Sequence, residues 1–430
     1  MNYFRVIIAF QLFLFSIMNM SGQAEPEQSN LRFYLSEDGS SYAGIVMVNQ
    51  IWSRYIWHNP DADLSGQSAE VDFGIRRSRL ILYTYLMDRV FIYSQIGHDG
   101  LNYRTRGNPQ IAMYNAQTEY IFLKDKLHVG FGLNTWNGLS RYNNSRLLEF
   151  LVIDSPGFAY PVGGTFDRFG RQLGIYAKGT VNKLHYRMSV VKPFETGVEL
   201  SEAGVSAEPV INNNLALKGY FTWQFFDKEN HLFPYMTMNN LGKARFFNLG
   251  AGFYFHPDAM GETGSAQATT SAIFLFALDA FLDIPAGING GAVTSSLGYY
   301  NYDFGPDYIR SSGPINVGRP GIQQALPQGH GNSEWDTGTG TIVHGELGYL
   351  IPGSILNSRF QPYGALTHKN FEALDEASLQ YGAGLNILMY NHNIKWTMQY
   401  MNRPIYDAVD NRQVVVDQRG QFILQTQIVF

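Results

Sequence analysis

The sequence predicts an all-β chain folded as a transmembrane antiparallel β-barrel of about sixteen strands, and three observations carry that expectation. Residues 420–430 (GQFILQTQIVF) place Phe422, Leu424, Thr426, Ile428 and Phe430 on one face and Gln421, Gln425 and Gln427 on the other. Period two is a strand, and an amphipathic strand about ten residues long that ends on an aromatic is what closes a barrel in a bacterial outer membrane. Similar alternation recurs from about residue 43, and the connections alternate short and long, as tight turns on one rim and loops on the other require. Composition agrees: aromatics are 15%, Gly numbers 44 and charged residues are only 16%, against roughly 25% in a typical soluble domain.

Residues 1–24 read as a signal peptide, with Arg5 in the basic region, an apolar run over 6–18 and Gly22-Gln23-Ala24 as the cleavage site. That run is too short to span a membrane, which takes roughly twenty residues. Residues 25–42 are expected to form a periplasmic N-terminal segment, and 43–430 the barrel. The strands fall at about 43–57, 70–86, 89–98, 110–123, 126–136, 171–181, 183–194, 214–226, 245–256, 271–283, 294–304, 341–351, 359–369, 378–390, 393–403 and 420–430. A seventeenth candidate, 231–240, is interrupted by Pro234 and rich in asparagine. Proline cannot complete a central ladder, and a single-chain barrel needs an even strand number. Residues 227–244 are therefore expected to be a periplasmic excursion. The long connections at 58–69, 99–109, 137–170, 195–213, 305–340 and 404–419 are expected outside the cell. Sixteen strands leave an aqueous lumen.

Candidate pore-lining residues come from two places. In VDFGIRRSRLILYTYL (71–86), turning Leu80, Leu82 and Leu86 to lipid puts Arg77 and Arg79 in the lumen and leaves only Arg76 outward. The opposite phase would expose two arginines to lipid at about 2–4 kcal/mol each near the midplane. The connection 137–170 is too long for a rim loop without a role and carries Arg141, Arg146, Glu149, Asp154, Asp167 and Arg168, three positive and three negative. Folded into the lumen, it would narrow the channel and set a local field. On the terminal strand, Gln421, Gln425 and Gln427 are expected on the wet face.

Other chemistry finds little support. Cysteine is absent, which excludes disulfides and thiolate metal sites. A net charge of −5 gives no reason to expect nucleic acid. There is no nucleophile elbow, HExxH or P-loop, so no catalytic residue, cofactor or metal is expected. The partners expected are outer-membrane lipid and lipopolysaccharide, small solutes, and the barrel assembly machinery acting on the C-terminal strand.

The segments FGIRRSRL (73–80), FFNLGAGFYFHPDAM (246–260), LDAFLDIP (278–285) and GYYNYDFGP (298–306), with the terminal Phe430, resemble the phosphate-selective porin O and P family, in particular porins of Bacteroidetes-type bacteria. The resemblance covers about residues 43–430. It implies a sixteen-stranded barrel that is usually a homotrimer, a third outer loop folded into the lumen and basic residues drawing anions inward. The loop at 137–170 stands in the matching place. Its charge balance and lack of lysine depart from the family pattern, which bears on phosphate preference rather than on passive diffusion. The expected function is a diffusion channel in the bacterial outer membrane for small hydrophilic solutes, including anionic, phosphate-like ones. The alternatives are an outer-membrane enzyme on a barrel scaffold, which would need a lipid-facing or rim His and Ser in contact, and a secreted β-rich binding protein.

Overall fold

The computed structural model describes residues 31–430 except 61, 63–65, 105–110, 195–206, 211, 263–269, 288–289 and 314–330. The expected signal peptide at 1–24 and the start of the segment at 25–42 lie outside the described residues; Leu31–Tyr34 is a short strand paired with Tyr42 to Ile45.

A strand in lipid must satisfy every backbone group within protein, so a spanning sheet has to close. Sixteen strands do so: β1 Tyr42–Trp57, β2 Ala69–Leu86, β3 Val90–Asn102, β4 Ala112–Leu123, β5 Leu127–Asn134, β6 Gln172–Val181, β7 Leu184–Lys192, β8 Ala216–Gln224, β9 Phe246–Glu262, β10 Thr270–Pro285, β11 Ala292–Asp303, β12 Gly340–Leu350, β13 Arg359–Phe371, β14 Ser378–Tyr390, β15 Ile394–Val409 and β16 Arg412–Val429. Each pairs antiparallel with its sequence neighbours, and β16 returns to β1 in the register Val48↔Val429 to Ile56↔Gln421. Beyond the last strand residue, Met47 N donates to Phe430 O at 2.6 Å and Phe430 N to Met47 O at 3.1 Å. The even count and the exclusion of 231–240 from the wall are as expected.

Alternation sorts the side chains. Leu297, Leu347 and Leu366 point out and are more than half exposed; Gln50, Glu119, Lys178, Gln361, Asn386 and Gln427 point in and are buried. Gln425 is buried on the inner side and Gln421 half-buried. Two-residue turns on the short-turn rim need left-handed backbone, supplied at Met87 and Asp88 (φ 52° and 55°).

Three expectations are corrected. First, 404–419 is not a long loop: β15 continues to Val409 and β16 starts at Arg412, joined by Asp410 and Asn411 at φ 51° and 61°. The hairpin runs past the membrane, where both faces are wet, so the period-two signal fades. Second, β2 carries a bulge. Gln50 pairs with Arg77 and Ile51 with Ile75, leaving Arg76 unpaired with β1. A bulge admits an extra residue and re-aims its side chain, so Arg76 turns inward beside Arg77 instead of facing lipid. Third, 225–245 begins and ends on the short-turn rim but folds up into the lumen. Its apolar residues Leu232, Phe233 and Tyr235 pack on the inward rings of Tyr83, Phe91 and Tyr93, a surface that the periplasm would not provide.

The connection 135–171 also folds inward, in three short 3-10 turns. Wall side chains pin its backbone: Asn386 Nδ2 donates to Leu151 O at 2.8 Å, Lys395 Nζ to Phe150 O at 3.1 Å and Gln427 Nε2 to Leu148 O at 3.1 Å, while Ile153 N donates to Gln399 Oε1 at 2.9 Å. Its outer end is capped by a ribbon of Ile309–Ser312 and Glu334–Gly338, from which Arg310 donates to the carbonyls of Tyr160 and Gly163.

Gly132 on β5 tests the closeness of the ladder. It sits at φ 121°, and a Cβ there would strike the Ala116 carbonyl oxygen. Gly132→Ala is expected to destabilise the barrel by about 1–3 kcal/mol. Gly364→Ala, outward with its nearest neighbour atom 3.9 Å away, should leave urea unfolding in lipid vesicles unchanged.

Candidate functional site

The bulge in β2 and a second one in β4 shape the middle of the lumen. On β4, Gln95 pairs with Asn115 and Ile96 with Met113, so Tyr114 is the extra residue. Tyr114 is buried with its ring 4.0 Å from the Arg79 guanidinium. Around these bulges, four arginines meet three carboxylates. Asp154, at the tip of the inward loop, accepts from Arg76 Nε at 2.6 Å and from Arg77 Nη2 at 2.5 Å. Arg79 binds Asp99 with two nitrogens, one of them Nε at 2.8 Å, and Arg54 is paired with Asp72. Arg76 and Arg77 also lie 4.0 and 3.9 Å from Asp99. The cluster therefore holds one more positive than negative group.

Exposure shows which members meet water. The side chains of Arg76 and Asp99 are each 15% exposed and Asp154 10%, whereas Arg77 and Arg79 are at 3% and 4%. Gly382, Met401 and Gln421 on the inner faces of β14, β15 and β16 are half-buried too. Together these partly exposed inner-face groups mark a water-accessible level of the lumen, the vestibule floor. Trp52 closes one side of it, donating from Nε1 to Gln425 Oε1 at 2.8 Å, with the Arg76 guanidinium 5.5 Å from its ring.

Asp154 sits where two effects compete. Burial favours its neutral form, but Arg76 and Arg77 outweigh burial and hold the carboxyl below its ordinary value of 3.8. Its ion pairs are complete above that value and fail only as pH falls through the depressed one.

The sequence-predicted residues separate into groups. Arg77, Arg79 and Asp154 meet in this cluster. Arg146 and Glu149 pair with each other at 2.7 Å, below the floor. Arg141 lies against the opposite wall, 2.5 Å from Glu229 and 4.1 Å from the Phe281 ring. Asp167 is buried near the outer end of the loop, accepting from Gly170 N at 3.1 Å, and burial raises its carboxyl above the ordinary range. Arg168 is exposed, 5.7 Å from the Phe194 ring, and does not join the others. Sequence reasoning missed Trp52, Arg54, Asp72 and Asp99. Trp52 and Arg54 stand at the same parity as Gln50 on a predicted strand, so counting by two from Gln50 finds them, whereas Asp72 is out of phase with Arg77 and faces inward only because the bulge at Arg76 shifts the parity of β2. Asp99 lies on the part of β3 that was read as loop.

No protein-family model and no curated protein sequence matches the chain. Solved structures do match. OprB of Pseudomonas putida aligns at TM-score 0.53 and 11% identity over 91% of this chain and 95% of that one. OmpF of Salmonella typhi, solved with daunomycin, aligns at 0.52 and 10% over 93% and 100%. The outer-membrane channel DcaP of Acinetobacter baumannii aligns at 0.51 and 12% over 91% and 99%. The fold is that of a general bacterial porin. At these identities the likeness concerns architecture, and the barrel is of the kind that sits in the bacterial outer membrane.

Asp154→Asn leaves two guanidiniums without their shared acceptor and is expected to cost about 3–5 kcal/mol in urea unfolding. The stability difference from the wild type should hold steady between pH 8 and 5 and shrink only below the ordinary carboxylate value of 3.8.

Proposed function

We propose that this chain is a passive diffusion channel for small hydrophilic solutes, with anions favoured at the vestibule floor. The observation that carries the reading is the charged floor inside a closed sixteen-stranded barrel, where Arg54, Arg76, Arg77 and Arg79 exceed Asp72, Asp99 and Asp154 by one charge. Four arginines beside three fixed carboxylates present a solute with alternating charge, which orients it while the surplus weights the field toward anions. Arg76 is the group that greets it, since it is wetter than Arg77 and Arg79. Phosphate-like solutes fit the planar, bidentate donors of arginine, although every guanidinium of the floor already has a carboxylate.

Several further features belong to the same reading: export by the signal peptide at 1–24, a periplasmic start at 25–42, insertion through the C-terminal strand by the assembly machinery, contact with lipopolysaccharide, and a homotrimer. The enzyme alternative requires a lipid-facing or rim His and Ser in contact, and the lipid-facing form can be weighed at one pair. Ser78 and His98 are register partners on the outer face, yet the Ser78 hydroxyl donates to Asn49 Oδ1 at 2.9 Å. Its proton is committed to an amide, which is the wrong partner for a nucleophile.

Planar-bilayer recording in a salt gradient tests the proposal. Arg76→Gln, and separately Arg77→Gln with Arg79→Gln, should move the reversal potential toward cation preference. An unchanged potential would overturn the anion assignment, and a barrel that inserts but passes no current would overturn the channel.

A further inference from the structure

Among the described residues, the connection between β8 and β9 is the one on the short-turn rim that enters the barrel. From that rim, 225–245 climbs along the wall of β2 and β3, where the ring of Phe233 stands 5.1 Å from Tyr83 and 5.4 Å from Phe91. It then meets the inward loop. Met236 N donates to Asn144 O at 2.7 Å and Met236 O accepts from Arg146 N at 2.9 Å, so the two insertions share a short parallel bridge at Ser145 and Met236. Beyond it, Asn239 Nδ2 donates to Gln361 Oε1 at 2.8 Å on β13. The segment thus lies across the lumen on its periplasmic side.

Much of what holds it there is reversible. Its carbonyl oxygens accept from side chains: Lys178 Nζ to Leu232 O at 2.9 Å, Arg187 to Pro234 O, Arg141 Nη1 to Thr237 O at 2.8 Å and His392 Nε2 to Asn239 O at 2.8 Å. These bonds act without a covalent cross-link, alongside the apolar packing of Leu232, Phe233, Tyr235, Met238 and Leu241.

At its lower end His231 is buried between two other histidines, 5.0 Å from the His128 ring on β5 and 5.4 Å from the His185 ring on β7. The charged groups facing it are Lys178 on β6 and Arg187 on β7, both positive, and Glu119 on β4. Glu119 is already bonded to Lys178 at 2.9 Å, His128 at 2.6 Å and Tyr176 at 2.9 Å. On the segment itself, Glu229 is taken by Arg141. The Nε2 atom of His231 is buried without a hydrogen-bond partner among the described residues, so a proton added there finds cations and no acceptor. Burial first, then Lys178 and His128, push the His231 imidazole down to about 3 from its ordinary 6.5.

We propose that 225–245 is a gate: it occludes the periplasmic half of the lumen at neutral pH and leaves it as His231 takes up a proton, opening a wider path. The gate rests on the channel reading. Linkage sets the sign: a released His231 titrates at its ordinary value while the docked one resists protonation, so between those values each pH unit downward favours release about tenfold for this imidazole alone.

The absence of native cysteine makes the test clean. Ser145→Cys with Met236→Cys would join the two insertions by a disulfide. In single-channel recordings the wild type should shift from a small to a larger conductance between pH 7 and about 4.5, with the ratio of open to closed dwell times rising about tenfold per unit. The oxidised double variant should lose this response and regain it on reduction, and His231→Gln should blunt it. A pH response that persists in the oxidised variant, or a wild type that conducts equally at both pH values, overturns the gate while leaving the channel standing. A third variant with 228–243 replaced by a short Asn-Gly turn, its folding checked by heat-dependent gel shift, separates the two ideas. A larger conductance from it than from the wild type at pH 7, with no further rise on acidification, supports the gate, and no current from any variant overturns the channel reading itself.

Discussion

The constraint on which the structure depends is that backbone in lipid has no water to bond. β16 must find β1, and once it does, alternation decides everything else: each strand has one face for lipid and one for the interior. The pairing Val48↔Val429 to Ile56↔Gln421 therefore fixes more than closure. It places Gln50, Gln425 and Gln427 inside, where they bond to each other, to Trp52 and to the inward loop. A polar interior of this size is costly when left unpaired. The two insertions satisfy it by offering backbone carbonyls to wall amides, lysines and arginines.

The bulges show how a strict period can be bent for a purpose. In a regular strand only one of two consecutive arginines can face the lumen. By skipping a partner at Arg76, β2 delivers both Arg76 and Arg77 to a single carboxylate, Asp154. That carboxylate belongs to a loop, so the wall's irregularity and the loop's position are specified together. Moving either would leave buried charge without a counter-charge.

Where each strand's inner and outer faces differ in polarity, the sequence was readable: the sixteen spanning segments, the turns near Met87 and Asn391, the loop at 137–170 and the inward phase of Arg77 and Arg79 all follow from period two and turn chemistry. It was unreadable where that contrast disappears. The projecting hairpin of 404–419 is wet on both faces, so its strands looked like loop. Arg76 needed a bulge, which leaves no mark on an alternation pattern. The course of 225–245 depends on Phe233 meeting Tyr83, Phe91 and Tyr93, partners more than a hundred residues away. The grouping of Arg77 with Asp154, but not with Arg168, likewise depends on where a loop tip lands.

The inward loop carries a mechanical implication. It is fastened to β14, β15 and β16 through Asn386, Lys395, Gln399 and Gln427, to β2 through Asp154 and to β10 through Arg141 N and Asp279. Those strands stand around much of the circumference. A hollow sheet of sixteen strands would flatten easily under lateral pressure from the surrounding lipid, because its hydrogen bonds resist stretching along the ring and hardly resist ovalisation. A segment tied to the wall at three separated places acts as a set of spokes, and holds the cross-section round enough for the vestibule to keep its shape.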